Sequence, residues 1–231
     1  MLTSLRRGLA AGAVGGLLAG AFGYLLVTPL MDRAVDLEAA RSAAAGEVGE
    51  ETFTRSTQHV GFVVALLLVG LAFGVLYAVV HQLLHRDRPA TWGTAVRLGA
   101  GAFFGLVLVP FLRYPANPPG TGDSGTIDAR TDLWLSSLMI GLVGACVAGL
   151  VARGLREREV DEPLRQLAVL GVLAATIGLT FVLPDNPDEI TVPVSLVWDF
   201  RVLSLASMLL LWGGLAATFG LLSERAARRT A

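Results

Sequence analysis

The chain is 231 residues long, 54% hydrophobic and only 16% charged, with a mean hydropathy of +0.64. That leaves too little polar surface for a water-soluble protein of this size and places the chain in the membrane class. A formal net charge of −1, with all 18 Lys-plus-Arg residues being arginine, offers no basic excess for nucleic acid, and the lone Cys146 builds neither a disulfide framework nor a thiolate metal cluster within one chain.

In chain order, Arg6 and Arg7 precede a first apolar run, about 8–27, longer than a signal-peptide core and read here as a retained span. Along it Gly8, Gly12, Gly16 and Gly20 form a four-residue ladder, a ridge that lets a second helix approach closely, within the chain or between copies. The connection 28–59 is acidic, and its alanine-rich stretch 31–45 predicts a short surface helix. The second span, about 60–80, follows Arg55 and His59 and carries Gly70 and Gly74. The third, about 93–112, carries Gly101 and Gly105. After it comes a connection, 113–132, rich in proline and glycine, which forbid helix and favour a turn-rich path. Tyr114, Pro115, Asn117, Pro118 and Pro119 stand in this loop, which is expected to fold back over the outer mouth. The fourth span is about 133–152 and the fifth, short at this cut, about 167–183. After the connection 184–195 the sixth runs about 196–222, roughly 40 Å as a helix. Each run approaches or exceeds the roughly 20 residues that cross a hydrocarbon core, and lipid-exposed backbone must satisfy its own hydrogen bonds, so all six are helices. The expected fold is all-α: one polytopic transmembrane domain over 1–231.

The arginines orient it. Eleven of them (Arg6, Arg7, Arg86, Arg88, Arg153, Arg156, Arg158, Arg165, Arg225, Arg228, Arg229) fall before span one, between spans two and three and four and five, and after span six. The alternate connections hold five: Arg33, Arg41, Arg55, Arg113 and Arg130. The positive-inside rule then puts both termini in the cytoplasm and the connections 28–59, 113–132 and 184–195 outside. In a bacterial setting that is the cytoplasmic (inner) membrane.

An internal repeat is suggested as well. Each odd span ends near a proline (Pro29, Pro110, Pro184), and each even span has an arginine near its outer end (Arg55, Arg130, Arg201). Nineteen residues after each arginine comes a glycine: Gly74, Gly149 and Gly220. That separation is about 28 Å of helix, so the pattern reads as three two-helix hairpins in one orientation. Chance alone gives such a match a few times in a hundred, roughly, in so glycine-rich a chain.

The candidates for chemistry lie at the outer side: Arg55, His59, Asp123, Asp128, Arg130, Asp199 and Arg201. Arg130 and Arg201 stand in Asp-x-Arg triplets, with Asp128 and Asp199 as nearby carboxylates. His59, with Asp123, Asp128, Asp185, Asp188 and Asp199, is a candidate for a hard or borderline divalent ion, against the plainer alternative of solvated loop acids and interfacial arginines. Glu50-Glu51-Thr52-Phe53-Thr54-Arg55 imitates a motif of intramembrane CAAX-type proteases, with His81 and His85 as its histidines. Glu51 and His81 are thirty residues apart across span two, roughly 45 Å of helix, which sets them on opposite membrane faces. With no zincin, nucleophile-elbow or Walker-A motif either, no enzyme is expected. His81 and His85 stand as interfacial histidines, or as ligands to a metal leaving on the cytoplasmic side.

Three segments carry a family resemblance: Val27-Thr28-Pro29-Leu30, the loop Tyr114-Pro115-Ala116-Asn117-Pro118-Pro119-Gly120, and Asp199-Phe200-Arg201-Val202-Leu203-Ser204. Over nearly its whole length the sequence resembles the CbtA family of predicted cobalt transporter subunits. The resemblance implies a membrane component for cobalt uptake linked to cobalamin synthesis, with cobalt or another divalent cation as cargo and no cofactor. It also implies a small partner, CbtB, that carries the histidine-rich metal site. The family is often described with five spans, whereas the charge alternation here gives six. Two alternatives stay open beside this: a homo-oligomer, and a non-transporting scaffold assembled through the glycine ridge.

Overall fold

The computed structural model describes residues 2–46, 53–85, 90–188 and 190–230. Every regular element among them is helical. In order these are α1 (Leu2–Leu26), α2 (Thr28–Ala44), α3 (Arg55–Leu84), α4 (Trp92–Phe103), a π-helical turn (Phe104–Leu108), α5 (Val109–Arg113), a 3-10 turn (Ser124–Thr126), α6 (Ile127–Glu157), α7 (Glu162–Thr180) and α8 (Val194–Thr230). Among the described residues six helices are long and apolar enough to cross a membrane: α1, α3, the continuous Trp92–Arg113, α6, α7 and α8 as far as Arg228. Large apolar side chains stand outward along them, Leu68 at 60% exposure, Leu150 at 69% and Leu170 at 59%. Side chains of that size so exposed on long apolar helices are facing lipid. The protein is a multi-pass membrane protein.

Helix ends follow local chemistry. Thr54 caps α3 by accepting from Thr57 N at 3.4 Å. Thr91 and Thr94 cap α4 reciprocally, each hydroxyl accepting the other's backbone N–H, at 3.0 and 3.3 Å. Pro163 in the first turn starts α7 at Glu162, and the helix ends at Thr180, so the fifth span lies earlier in the chain than 167–183. The surface helix expected over 31–45 instead begins at Thr28, with Pro29 in its first turn, and only Val27 separates it from α1. In the third span the ring of Pro110 cannot fit a regular α-helix against the carbonyl four residues back. A π turn precedes it, where Val109 N–H reaches back five residues to Phe104 O.

The chain divides into two compact units. The first comprises the chain up to Ala100, the short segment Asn117–Gly120, and the chain from Val192 onward. Its centre is α1, packed on α3 by one face and on α8 by another. The glycine ladder fills the α1–α3 seam in antiparallel register: Gly8 opposite Gly74, Gly12 opposite Gly70, Gly16 opposite Leu66 and Leu67, and Gly20 opposite Val63. A Cβ at Gly16 would stand 2.7 Å from Leu66 O, so the helices touch backbone to backbone. The ridge is thus engaged within one chain. Leucine at Gly12 or Gly16 would break this packing before it could report on assembly between chains.

On the other face of α1, Gly15 meets the backbone of Leu211 and Leu215 in α8, and Ser207 Oγ donates to Ala19 O at 3.3 Å. Helix α2 adds a small core of its own, where Leu30, Ala34 and Leu37 pack on Val192, Leu196 and Val197.

The second unit comprises Gly101–Ala116 and Thr121–Thr191. Gly105 in the π turn meets Gly141 of α6 backbone to backbone, and Gly144 of α6 receives Thr176 of α7. The buried hydroxyls of Thr176 and Thr180 donate to their own helix at Val172 O and Ile177 O, 2.8 and 2.7 Å away. This removes their desolvation cost in an apolar setting. Helix α7 packs on α6 in the second unit, and α8 packs on α1 in the first. The pairing of the helices therefore does not establish a threefold repeat.

Candidate functional site

In the first unit, a charged cluster forms where α1 ends and α3 begins. Asp32 and Asp36 are one turn apart on α2 and share a face. Arg55, the first residue of α3, reaches Asp36 Oδ1 at 3.3 Å and Asp32 Oδ1 at 3.9 Å. His59, one turn further on, places Nε2 2.9 Å from Asp32 Oδ1. Its ring meets the edge of Tyr24 with centroids 6.0 Å apart. Asp32 thus serves both a guanidinium and an imidazole. The sequence had named Arg55 and His59 but not their carboxylates. The signal was present in the i,i+4 spacing of Asp32 and Asp36 on a predicted helix.

The proline loop docks on this same unit through Asn117–Gly120. Arg201 Nη2 donates to Asn117 Oδ1 at 2.7 Å, and Arg41 Nη2 to Gly120 O at 3.3 Å. Pro118 is fully buried. Gly120 has φ +69°, and a Cβ there would strike Glu38, so glycine is required on both counts. Asp199 is exposed. The Asp-x-Arg reading needs correcting, because residues two apart on a helix point to nearly opposite sides. Arg201 bonds to the loop amide, and Asp199 points elsewhere.

In the second unit the same geometry frees Asp128, which is exposed, while Arg130 pairs with Asp188, Nη1 to Oδ2 at 2.9 Å. The Asp188 carboxylate is 2% exposed. Its Oδ1 also accepts from Thr126 Oγ1 at 2.5 Å and from Asp123 N at 3.4 Å. Arg130 in turn donates to Asp123 O at 3.3 Å. Nearby, Arg113 donates to Leu183 O at 2.5 Å and pairs with Asp185 at 2.7 Å, and Tyr114 OH donates to Pro184 O at 2.6 Å. The loops are tied to each other by these contacts, and Asp185 and Asp188 are already committed to arginines.

His59 stands with Asp32 in the first unit, and Asp123, Asp128, Asp185 and Asp188 belong to the second. Among the described residues no group of three or more His, Cys, Asp or Glu is placed to hold a metal ion. Glu50 and Glu51 lie outside the described residues. At the other end of α3, His81 is buried, with Nε2 3.0 Å from Thr94 Oγ1. His85 Nδ1 lies 3.1 Å from His81 O, and the two rings stack with centroids 4.5 Å apart.

A family model described as "Probable cobalt transporter subunit (CbtA)" matches residues 2–224. No curated protein and no solved structure matches the chain.

Proposed function

Because the chain belongs to the CbtA family, we propose that it is the membrane component through which cobalt, or a related divalent cation, crosses the bilayer. The family match across residues 2–224 carries this reading. The partner in this proposal is a small, CbtB-like, histidine-rich membrane subunit. The setting is the cytoplasmic membrane with both termini inside, as the distribution of arginine suggests.

The outer cluster supports cation capture. Two carboxylates, Asp32 and Asp36, face one guanidinium, Arg55, so the group keeps a net negative charge that attracts a dication. An imidazole beside a carboxylate, His59 with Asp32, is a donor pair that suits a borderline ion such as cobalt(II). Arg55 then holds the carboxylates in place and returns to them when the ion leaves. In the first unit Arg201 fixes the proline loop through Asn117, and in the second Arg130 holds the backbone of Asp123. The sequence carries no nucleotide-binding motif, so the drive in this proposal is electrical or comes from the partner. A dication moving inward gains about 4.6 kcal/mol per 100 mV of inside-negative potential.

The test is accumulation of labelled cobalt in cells that carry this chain with its small partner, either one alone, or neither. Uptake is expected to need both and to fall several-fold in His59→Ala and Asp32→Asn variants. Equal uptake in all four backgrounds overturns the proposal.

A further inference from the structure

We propose that His81 and His85 form a second cation station, at the end of α3 opposite Arg55 and His59, which takes a borderline divalent transition-metal ion on two imidazole nitrogens. This rests on the transport reading and deepens it.

Thr94 has one hydroxyl proton, and it is given to Thr91 O at 2.9 Å. The same oxygen accepts Thr91 N–H at 3.0 Å and lies 3.2 Å from Thr91 Oγ1, so its second lone pair is open to His81 Nε2, also 3.0 Å away, when Thr91 Oγ1 sends its proton elsewhere. In the tautomer that donates to Thr94, His81 carries its proton on Nε2 and leaves Nδ1 bare. For His85 the assignment is stricter: Nδ1 lies 3.1 Å from His81 O, and a carbonyl oxygen can only accept. His85 is thus protonated at Nδ1 and leaves Nε2 bare.

Each ring spends its N–H on a fixed oxygen and keeps one free lone pair. An outer hydrogen bond of this kind sets the tautomer of a metal-binding imidazole. Histidines one helical turn apart lie on the same face, and their rings are in contact here, with centroids 4.5 Å apart. His85 is half-buried at the end of its helix, and turning about its side-chain bonds toward an ion shared with His81 gives up its bond to His81 O. Phe219 lies against His81, with ring centroids 5.2 Å apart.

The chemistry selects the ligand. Two neutral nitrogens favour cobalt, nickel or zinc over magnesium and calcium, which need oxygen donors. Two protein ligands, with water completing the shell, hold an ion weakly enough to let it go, as a station on a pathway must. Thr94 acts as a positioning residue.

The experiment uses the full chain purified in detergent micelles, titrated with Co²⁺ and followed by visible absorption and calorimetry. The variants are His85→Gln, His81→Gln, Thr94→Val and His59→Gln. The wild type is expected to bind Co²⁺ in a component that His85→Gln weakens at least tenfold and Thr94→Val by about tenfold, while His59→Gln leaves that component unchanged. His85 is not a core residue, so its variant keeps the test valid if His81→Gln fails to fold. Co²⁺ binding unaltered by His85→Gln overturns the station. Labelled-cobalt uptake in cells separates the two proposals. Uptake that needs the chain but ignores His85→Gln removes the station and leaves transport standing. A His85-dependent Co²⁺ component in a chain that supports no uptake removes transport and leaves the binding site.

Discussion

The seam between α1 and α3 makes a quantitative prediction about one methyl group. In Gly12→Ala the new Cβ would overlap Gly70 O and stand 3.0 Å from Gly74 Cα, where carbon atoms pack at about 3.5–4.0 Å. Both obstacles are backbone, so no rotamer relieves them and the helices must part by roughly 1 Å, a gap that forfeits about a quarter to a half of each facing contact. Taking a seam of about 25 atom pairs at 0.1–0.2 kcal/mol each, that loss alone is of order 1–2 kcal/mol. Overpacking in well-packed interiors costs about 1–3 kcal/mol, so we expect roughly 2 kcal/mol, near thirtyfold in the folded-to-unfolded ratio. Gly149→Ala and Gly213→Ala are the controls, because a Cβ there meets nothing within 4 Å. They are expected to be neutral, or to gain up to about 1 kcal/mol from helix propensity. The assay is unfolding in mixed detergent micelles, read by tryptophan fluorescence, since Trp212 of α8 packs on Phe73 of α3 with ring centroids 5.0 Å apart. If Gly12→Ala unfolds together with Gly149→Ala, the backbone-contact argument is wrong.

Two further predictions concern the loops. Asp188→Ala strips Arg130, Thr126 and Asp123 N of their shared acceptor and should cost about 3 kcal/mol, as for other buried pairs broken on one side; protease cutting within 117–126 that is no faster than in the wild type would refute this. Gly122 has φ +103° and lies against Arg130 and Asp188, whereas Gly46, at φ +79°, has nothing within 4 Å. Gly46→Ala should therefore show only the left-handed penalty of about 1–2 kcal/mol and Gly122→Ala clearly more, compared by hydrogen exchange of the flanking amides.

Much of this architecture was legible in order along the chain. Six spans follow from apolar length alone, because a bilayer fixes how many residues a helix needs. The glycine ladder announced a close helix contact for a similarly local reason, since four-residue spacing keeps one face bare. Pro118 and Gly120 marked a loop with its own structure, and its segment Asn117–Gly120 docks in the first unit. Partners were another matter. Arg130 was matched to Asp128 by proximity in sequence, yet helical geometry turns those two apart and Asp188, fifty-eight positions on, takes the place. Asp32 beside His59 and Arg55 could be suspected from spacing on α2, but not assigned until α2 was seen to follow α1 with one residue between them.

The sequence by itself determined what the solvent demands: a helical membrane protein, its six crossings, the asymmetry of its arginines and its membership of the CbtA family. Only the tertiary structure decided that the glycine ridge is spent inside the chain on α3, which acid holds which arginine, and which oxygens His81 and His85 face. Hydrophobicity and helical period act over a few neighbouring residues and so can be read in one dimension. Charge pairing and hydrogen-bond direction depend on atoms brought within 3–4 Å from distant parts of the chain, and that proximity exists only once the helices have packed.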